Sequence, residues 1–358
     1  TTNYTLCCYS MEDDRFFAEV QVEPDAKNIL KYLARIEKQQ SRDCRIVCGY
    51  EAGCLGYSLY HQLHAHGIDC VILAPTTMMT KPGKRIKTDR RDARLISKCL
   101  AFHTYSPVYI PTEVDDAVKE YIRMRDDANS ALARVKQQII AFCIRHGKIH
   151  DGKSYWTNKH LEWLSSLDLG NKILSEVLQE YLIRYYQLRE QVDMYDMRIN
   201  ELAQAEPYRQ KVEKLGCFRG IAAHTALSFC VEVGDFRRFA TAQQFASYLG
   251  LVPGECSSGD KQQYTGITKA GNSHLRKLLV ETAQVFGRSA TKSGKSVALK
   301  ERQAKCDSLT VAYADKANAR LKKKYFKIAM RSKVNIAKTA VAREMACFIW
   351  GMMTDEIA

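Results

Sequence analysis

Between Leu249 and Leu279 the chain reads LGLVPGECSSGDKQQYTGITKAGNSHLRKLL. Ser257 and Ser258 precede Gly259 on a polar turn, Lys261 and Lys269 follow, and a basic helix opens after them. A serine hydroxyl on a turn near lysines and helix-terminal amides has what attack on a phosphodiester needs. It has room to reach phosphorus, and positive charge to offset the negative charge that develops there. The plain alternative is a glycine-rich surface loop. Farther along, Lys269 and Arg276 flank the helix start and are expected to steady the scissile phosphate, unless they are ordinary solvent-facing cations. His274 has the chemistry of a proton shuttle, although a lone histidine at a helix start also suits a polar surface.

A second constellation lies far upstream. Glu51 follows a strand-like run in CRIVCGYEAG, and Asp89 and Asp92 stand three apart in GKRIKTDRRDARLI. Phosphodiester chemistry with Mg²⁺ requires hard oxygen ligands around the ion. Two carboxylates three apart on a helix share a face, and Glu51 at a strand end is placed to meet them. Around the two aspartates stand Lys84, Arg85, Lys87, Arg90, Arg91 and Arg94. These cations are expected to hold a nucleic-acid backbone, with ion pairing on the helix surface as the alternative.

The elements that must position these groups follow from periodicity. Tyr4–Tyr9 and Phe16–Val22 read as a hairpin turning at Glu12-Asp13-Asp14. Asp25–Glu37 is then a helix, Arg45–Tyr50 a strand, Gly56–His66 a helix and Cys70–Ala74 a strand. This order predicts a mixed sheet covered by helices, an α/β domain whose ligands gather at strand ends, where Glu51 falls. Met79–Lys87 reads as a loop, with Thr88 capping the helix of Asp89 and Asp92. Asp115–Arg145 is helical, and Lys172–Leu215 reads as a helical hairpin or coiled-coil arm suited to a dimer contact or to simple packing. Gly216–Ile221 resembles a helix–hairpin–helix turn whose amides can hold a phosphate. Phe229–Val233, Phe236, Phe239, Phe245 and Tyr248 are expected in a core, and basic helices run from Ser308 to Trp350. The expected organisation is an α/β domain over 1–112, a helical arm over 113–215 and a mainly helical domain over 216–358.

Composition narrows the partners. Lys and Arg number 54 against 40 Asp and Glu, a formal charge of +14. The surplus concentrates in Arg288–Arg343, a stretch holding 16 cations and 3 acids. Such a field attracts polyanions, nucleic acid above all. No apolar run approaches the roughly 20 residues that span a bilayer, and no basic and apolar leader opens the chain, so a cytoplasmic protein without a membrane partner is expected. The 13 cysteines form no Cys-x-x-Cys pair and no zinc spacing, which reads as reduced thiols rather than disulfides or a zinc site.

With both constellations in view, the chain resembles the transposases of the IS110 insertion-sequence family, particularly the IS1111 branch, described as bridge-RNA-guided recombinases. The matching words are GYEAG, KTDRRDARLI, GDFRRF with FASYLGLVPGECSSG, and GITKAGNSHLRKLL, in the family's order. The resemblance implies a RuvC-like (RNase H-like) N-terminal domain with an Asp-Glu-Asp-Asp metal site, a helical arm, and a C-terminal transposase domain with a catalytic serine. By position, Glu51, Asp89 and Asp92 are the second, third and fourth acids and ligands of Mg²⁺, and Ser258 is the nucleophile in preference to Ser257. The implied chemistry joins Ser258 to a DNA phosphate, exchanges strands and reverses the attack without hydrolysis, while a noncoding RNA pairs with donor and target DNA. A dimer or tetramer is expected, because two DNA partners are brought together.

In one respect the sequence departs from the family. The first acid belongs to a Gly-Ile-Asp-like word on a strand before Tyr4, and Asp13 and Asp14 stand at the wrong place to replace it. The expectation is an N-terminal truncation, or else a decayed copy, with weak or absent activity for this 358-residue chain. Two other functions compete with recombination: a RuvC-like nuclease hydrolysing branched DNA, with Ser258 a turn residue, and a non-catalytic nucleic-acid-binding protein.

Overall fold

The β-formers on either side of Glu12-Asp13-Asp14 fold as expected. β1 (Tyr4–Ser10) pairs antiparallel with β2 (Arg15–Val22), Tyr4 opposite Val22 and Ser10 opposite Arg15. The structure, a computed structural model, describes residues 2–39, 45–53, 55–78, 88–255, 263–288 and 294–356, and the chain divides into two units, Thr1–Ile110 and Pro111–Ala358.

In the first unit, α1 (Ala26–Gln39) buries Ile29, Tyr32, Leu33 and Ile36 at helical spacing. β3 (Val47–Glu51) and β4 (Asp69–Leu73) pair in parallel, Glu51 opposite Leu73, joined through α2 (Ser58–Ala65). The helix α3 (Asp89–Ala101) packs on both β1 and β3. Gly49 permits the close approach, since a Cβ there would stand 2.9 Å from side-chain carbons of Leu100 and of Leu73. One expectation is corrected. Among the described residues the strands form two separate two-stranded ladders in this unit, not one continuous mixed sheet. Side chains of both ladders, Leu6 and Cys8 with Cys48 and Cys70, nevertheless enter the same apolar core as α1 and α2. Alternating hydrophobicity says which face of a strand is buried; it does not say which edges exchange hydrogen bonds.

The second unit is built on two long antiparallel helices of 33 residues, α4 (Glu113–Arg145) and α6 (Lys172–Gln204), each about 50 Å long at 1.5 Å per residue. Thr112 and Asn171 cap them, each side-chain oxygen accepting from first-turn amides. Their distal halves enclose Val135, Ile139 and Phe142 against Leu178, Leu182 and Tyr185, with α5 (Asn158–Ser165) closing the end through Leu161 and Leu164. The helical run expected over Lys172–Leu215 breaks after Gln204 and resumes as α7 (Arg209–Gly216). Pro207, between them, has no N–H to continue a helix, and the second leg of the hairpin is α4.

At its base the arm joins a large core. Val118, Ile122, Ile199 and Ala203 pack with fully buried Phe218, Phe229, Phe245 and Phe286. The surrounding elements are α8 (Ala223–Val233), α9 (Ala242–Tyr248), the hairpin β5 (Pro253–Glu255) with β6 (Tyr264–Ile267), α10 (Ser273–Arg288), α11 (Val297–Gln303), α12 (Ser308–Ala329) and α13 (Val334–Met353). The expected core aromatics Phe229, Phe236 and Phe245 are buried here, and the basic tail is the pair α12 and α13. Every described cysteine is a free thiol, and no helix among the described residues is long and apolar enough to cross a membrane.

Candidate active site

In the N-terminal unit, Glu51 ends β3 half-buried, its strand held by Ala52 N–H donating to Leu73 O at 2.9 Å. Asp89 and Asp92 occupy the first turn of α3, where Thr88 caps the helix by accepting from Arg91 N at 3.4 Å, as its sequence position predicts. Acidic side chains there are also favoured by the helix dipole. Arg90 and Arg94 both pair with Glu19 on β2, which holds that carboxyl below its usual range, chiefly through Arg94. Arg90 still leaves 69% of its side chain exposed, so ion pairing and an accessible cation coexist at this residue. Lys84, Arg85 and Lys87 lie outside the described residues.

Three carboxylates have the hard donor chemistry that Mg²⁺ prefers. Their arrangement does not complete a site: among the described residues no group of three or more His, Cys, Asp or Glu side chains is gathered so as to hold a metal ion. Glu51 rides on a strand end and the two aspartates on a helix start, and the structure does not draw them into one ligand set.

The C-terminal unit shows how the serine segment is anchored. Ser257, Ser258 and Lys261 lie outside the described residues; the strands bracketing them are described. β5 and β6 pair antiparallel, Pro253 opposite Ile267 and Glu255 opposite Tyr264. Below them the two feet of the hairpin lie backbone against backbone. Lys269 N–H donates to Gly250 O at 3.1 Å and Asn272 N–H to Tyr248 O at 2.9 Å. The fit needs glycine at two places. Gly250 (φ +64°) and Gly271 (φ +77°) occupy the left-handed region, and a Cβ on them would come within 2.1 Å of Ala270 O and 2.0 Å of Tyr248 O. Arg276 donates from Nη1 to Leu249 O at 2.9 Å and to Ala270 O at 3.2 Å, so part of its guanidinium braces the feet. Lys269 is exposed. Asn272 caps α10, accepting from Leu275 N at 3.0 Å.

Beneath the feet lies a half-buried ionic cluster that the sequence did not announce. His274 is not the polar surface residue that its position suggested. Its Nε2 stands 2.9 Å from Asp126 Oδ2 on α4, and its Nδ1 stands 3.4 Å from Glu232 Oε1 on α8. Asp126 Oδ1 is 2.9 Å from His224 Nε2 and 3.2 Å from Arg125 Nη1. The His224 contact, and that of His274 Nδ1, are ion-pair approaches short of hydrogen-bond geometry. Glu232, 7% exposed, also accepts from Arg123 Nη2 at 3.1 Å and from Asn272 Nδ2 at 2.9 Å. Tyr248 OH donates to Glu232 O at 3.3 Å. Burial pushes the His274 imidazole toward neutrality, but Asp126 and Glu232 outweigh it and carry the pKa up to about 9. Burial likewise opposes ionisation of Glu232, and His274, Arg123 and Asn272 overcome it, down to about 2. Asp126 is held well below the carboxylate range against its burial, by His224, His274 and Arg125.

Sequence reasoning missed Asp126, Glu232 and His224. A signal existed for Glu232, the only charge in the apolar run FCVEV, since an acid there is buried and must be paired. Asp126 had none, standing in a charged helix where acids are ordinary. The Gly216–Ile221 turn also differs from expectation. Cys217, Phe218 and Ile221 spend their amides on nearby carbonyls and Arg219 N–H donates to Asn318 Oδ1 at 2.9 Å, so these four are not free to hold a phosphate.

Comparison with known proteins accords with this architecture. The pattern of a DEDD transposase domain matches residues 1–144, and that of the Transposase IS116/IS110/IS902 family matches residues 213–302, the part containing the hairpin β5–β6 with His224, Glu232 and His274. The y4qE transposase of Sinorhizobium fredii is 36% identical over 86% of this chain and 75% of its own length. The transposase of insertion sequence element IS1533 from Leptospira borgpetersenii is 32% identical over 86% of this chain and 88% of its own. That of IS1111A from Coxiella burnetii is 26% identical over 71% of each. A chain matching both a DEDD transposase domain and an IS116/IS110/IS902 transposase domain is a DNA-processing enzyme. The chain belongs to the IS110/IS116/IS902 family of transposases.

Proposed function

We propose that this protein is an insertion-sequence transposase that cuts and rejoins DNA through a phosphodiester bond to Ser258. The observation that carries the reading is the hairpin β5–β6. Its feet are fixed by two left-handed glycines, a capping asparagine and Arg276, and its connecting residues include Ser257-Ser258-Gly259. So firmly held a base, bridged by a short polar stretch of sequence, suits a nucleophile that must meet phosphorus in a set geometry. The Ser258 oxygen bonds to phosphorus as the strand's own P–O bond breaks, and the departing deoxyribose hydroxyl takes the proton. A hydroxyl from the other DNA partner then reverses the attack, which conserves the bond without hydrolysis. Lys261, Lys269 and the remaining donors of Arg276 offset the charge that develops on the phosphate.

The match to a DEDD domain suggests divalent-metal dependence. In this reading Glu51, Asp89 and Asp92 would help to hold Mg²⁺ together with further ligands, and the ion would supply Lewis acidity at the phosphate. Lys84, Arg85, Lys87, Arg90 and Arg91 hold the DNA backbone. A noncoding bridge RNA selects donor and target, held by shape and phosphate contacts, and the +14 charge supports so large a polyanionic load. Two copies or four assemble around the DNA partners.

The test is to trap a covalent protein–DNA adduct with Mg²⁺ and element-derived RNA on wild type and Ser258→Ala. Loss of the adduct in the variant supports the serine reading. Cleavage with no adduct in either protein moves the assignment to a hydrolytic nuclease.

A further inference from the structure

The half-buried cluster under the hairpin β5–β6 is larger than capping a helix requires. Glu232 grips both feet, Tyr248 through its main-chain carbonyl and Asn272 through its carboxylate. Arg123 and Asp126 reach the same place from α4, one side of the arm, and Arg125 ties Asp126 onward to Asp196 on α6 through bonds of 2.7 and 2.9 Å. The junction between these two groups is His274. Its two ring nitrogens face two different carboxylates, Asp126 and Glu232, at 2.9 and 3.4 Å. A neutral imidazole carries a proton on one nitrogen only, so both carboxylates face a positively charged N–H only when both nitrogens are protonated. With one proton removed, a lone pair would face a buried carboxylate.

We propose that His274 is a positioning residue for the serine chemistry, its two-sided grip on Asp126 and Glu232 setting the serine hairpin in register with the arm. The proposal rests on the reading of Ser258 as nucleophile. His274 does not touch the reacting atoms in this scheme. It acts through Glu232 and Asn272, which hold the feet, and through Asp126, which holds the arm. Among the described residues, the charged groups paired with it are Asp126 and Glu232, with His224 and Arg125 on the far side of Asp126 and Arg123 on Glu232. Loosening the junction lets the hairpin shift on the arm without unfolding the core, a displacement of the kind that lowers a positioned reaction by on the order of tenfold to a hundredfold.

The experiment uses the full chain, ¹⁵N-labelled, as wild type, Asp126→Asn and His274→Gln. Imidazole ¹⁵N spectra across pH should show His274 as an imidazolium at pH 7.5 in wild type. In Asp126→Asn, which keeps the shape and removes the charge, it should titrate at least one pH unit lower. Hydrogen exchange should then quicken about tenfold or more in residues 248–255 and 263–272 of either variant, with α13 unchanged. Adduct formation should slow by at least tenfold at saturating DNA, with DNA affinity retained. Three results would overturn the proposal: a wild-type His274 that titrates like a free histidine, exchange that quickens equally throughout the unit, or an unchanged adduct rate in both variants. If Ser258→Ala still forms the adduct, the serine reading fails instead, and the spectra and exchange still report on the junction itself.

Discussion

At the residue scale, His274 is where chemistry and stability meet. An imidazole titrates at 6.5 when unperturbed and near 9 in the native network. Because the folded value is the higher one, the stability it contributes is fully present below about 6.5 and is lost as pH rises through about 9. At 1.36 kcal/mol per unit, the interval corresponds to roughly 3 kcal/mol. Urea unfolding of the C-terminal unit should therefore weaken by about 2–3 kcal/mol between pH 6.5 and 9.5, and His274→Gln should flatten that part of the profile. A wild-type profile already flat there would contradict the native arrangement. Glu232 acts at the other end. Its folded value is depressed to about 2, so its contribution is present above about 4.5 and is lost as pH falls toward 2. The most stable range then lies between the two windows.

At the element scale, the hairpin β5–β6 depends on two glycines more than on its own short ladder. Gly271→Ala would place a methyl 2.0 Å from the Tyr248 carbonyl in a left-handed backbone conformation. Main chain cannot move aside as a flexible side chain does, so the expected loss is upwards of about 2 kcal/mol, together with loss of adduct formation. Gly266→Ala on β6 is the matched control. A Cβ there meets nothing within 4 Å, and thermal unfolding should shift little. Equal effects from the two substitutions would remove the close approach of the feet as the reason for glycine. The arm follows a different rule: α4 and α6 are positioned by stripes of apolar residues and by the Arg125–Asp196 pair, both of which tolerate gradual adjustment.

For the whole molecule, the charge surplus is spread along surfaces, and α12 carries a clear part of it. Lys316, Lys323 and Lys327 recur at seven and four residues, are exposed, and share a helix face. Arg320 and Lys324 beside them pair with Glu344 on α13. If the three lysines neutralise phosphates, replacing all three by alanine should lower the salt dependence of duplex DNA binding by about 2–3 in log–log slope, from about 0.9 per phosphate contact. Unchanged slope in filter binding across a salt series would show that face to be merely solvated.

The sequence by itself determined a good deal. Apolar spacing located most of the helices and strands, since burial of one face is written locally in a period of two or 3.6. The words around Glu51, Asp89, Asp92 and Ser258 pointed to phosphodiester chemistry, and Thr88 was legible as a cap because capping is a contact between near neighbours. Tertiary structure alone decided which edges pair, and so the two ladders in place of one mixed sheet. It also made α4, rather than a second half of the 172–215 run, the partner of α6. Most of all it decided His274. Asp126 and Glu232 stand 148 and 42 positions away from it in the chain (274 − 126 and 274 − 232), yet at 2.9 and 3.4 Å in space. A buried charge is stable only beside its partners, and no local pattern along the chain records which distant residues will supply them.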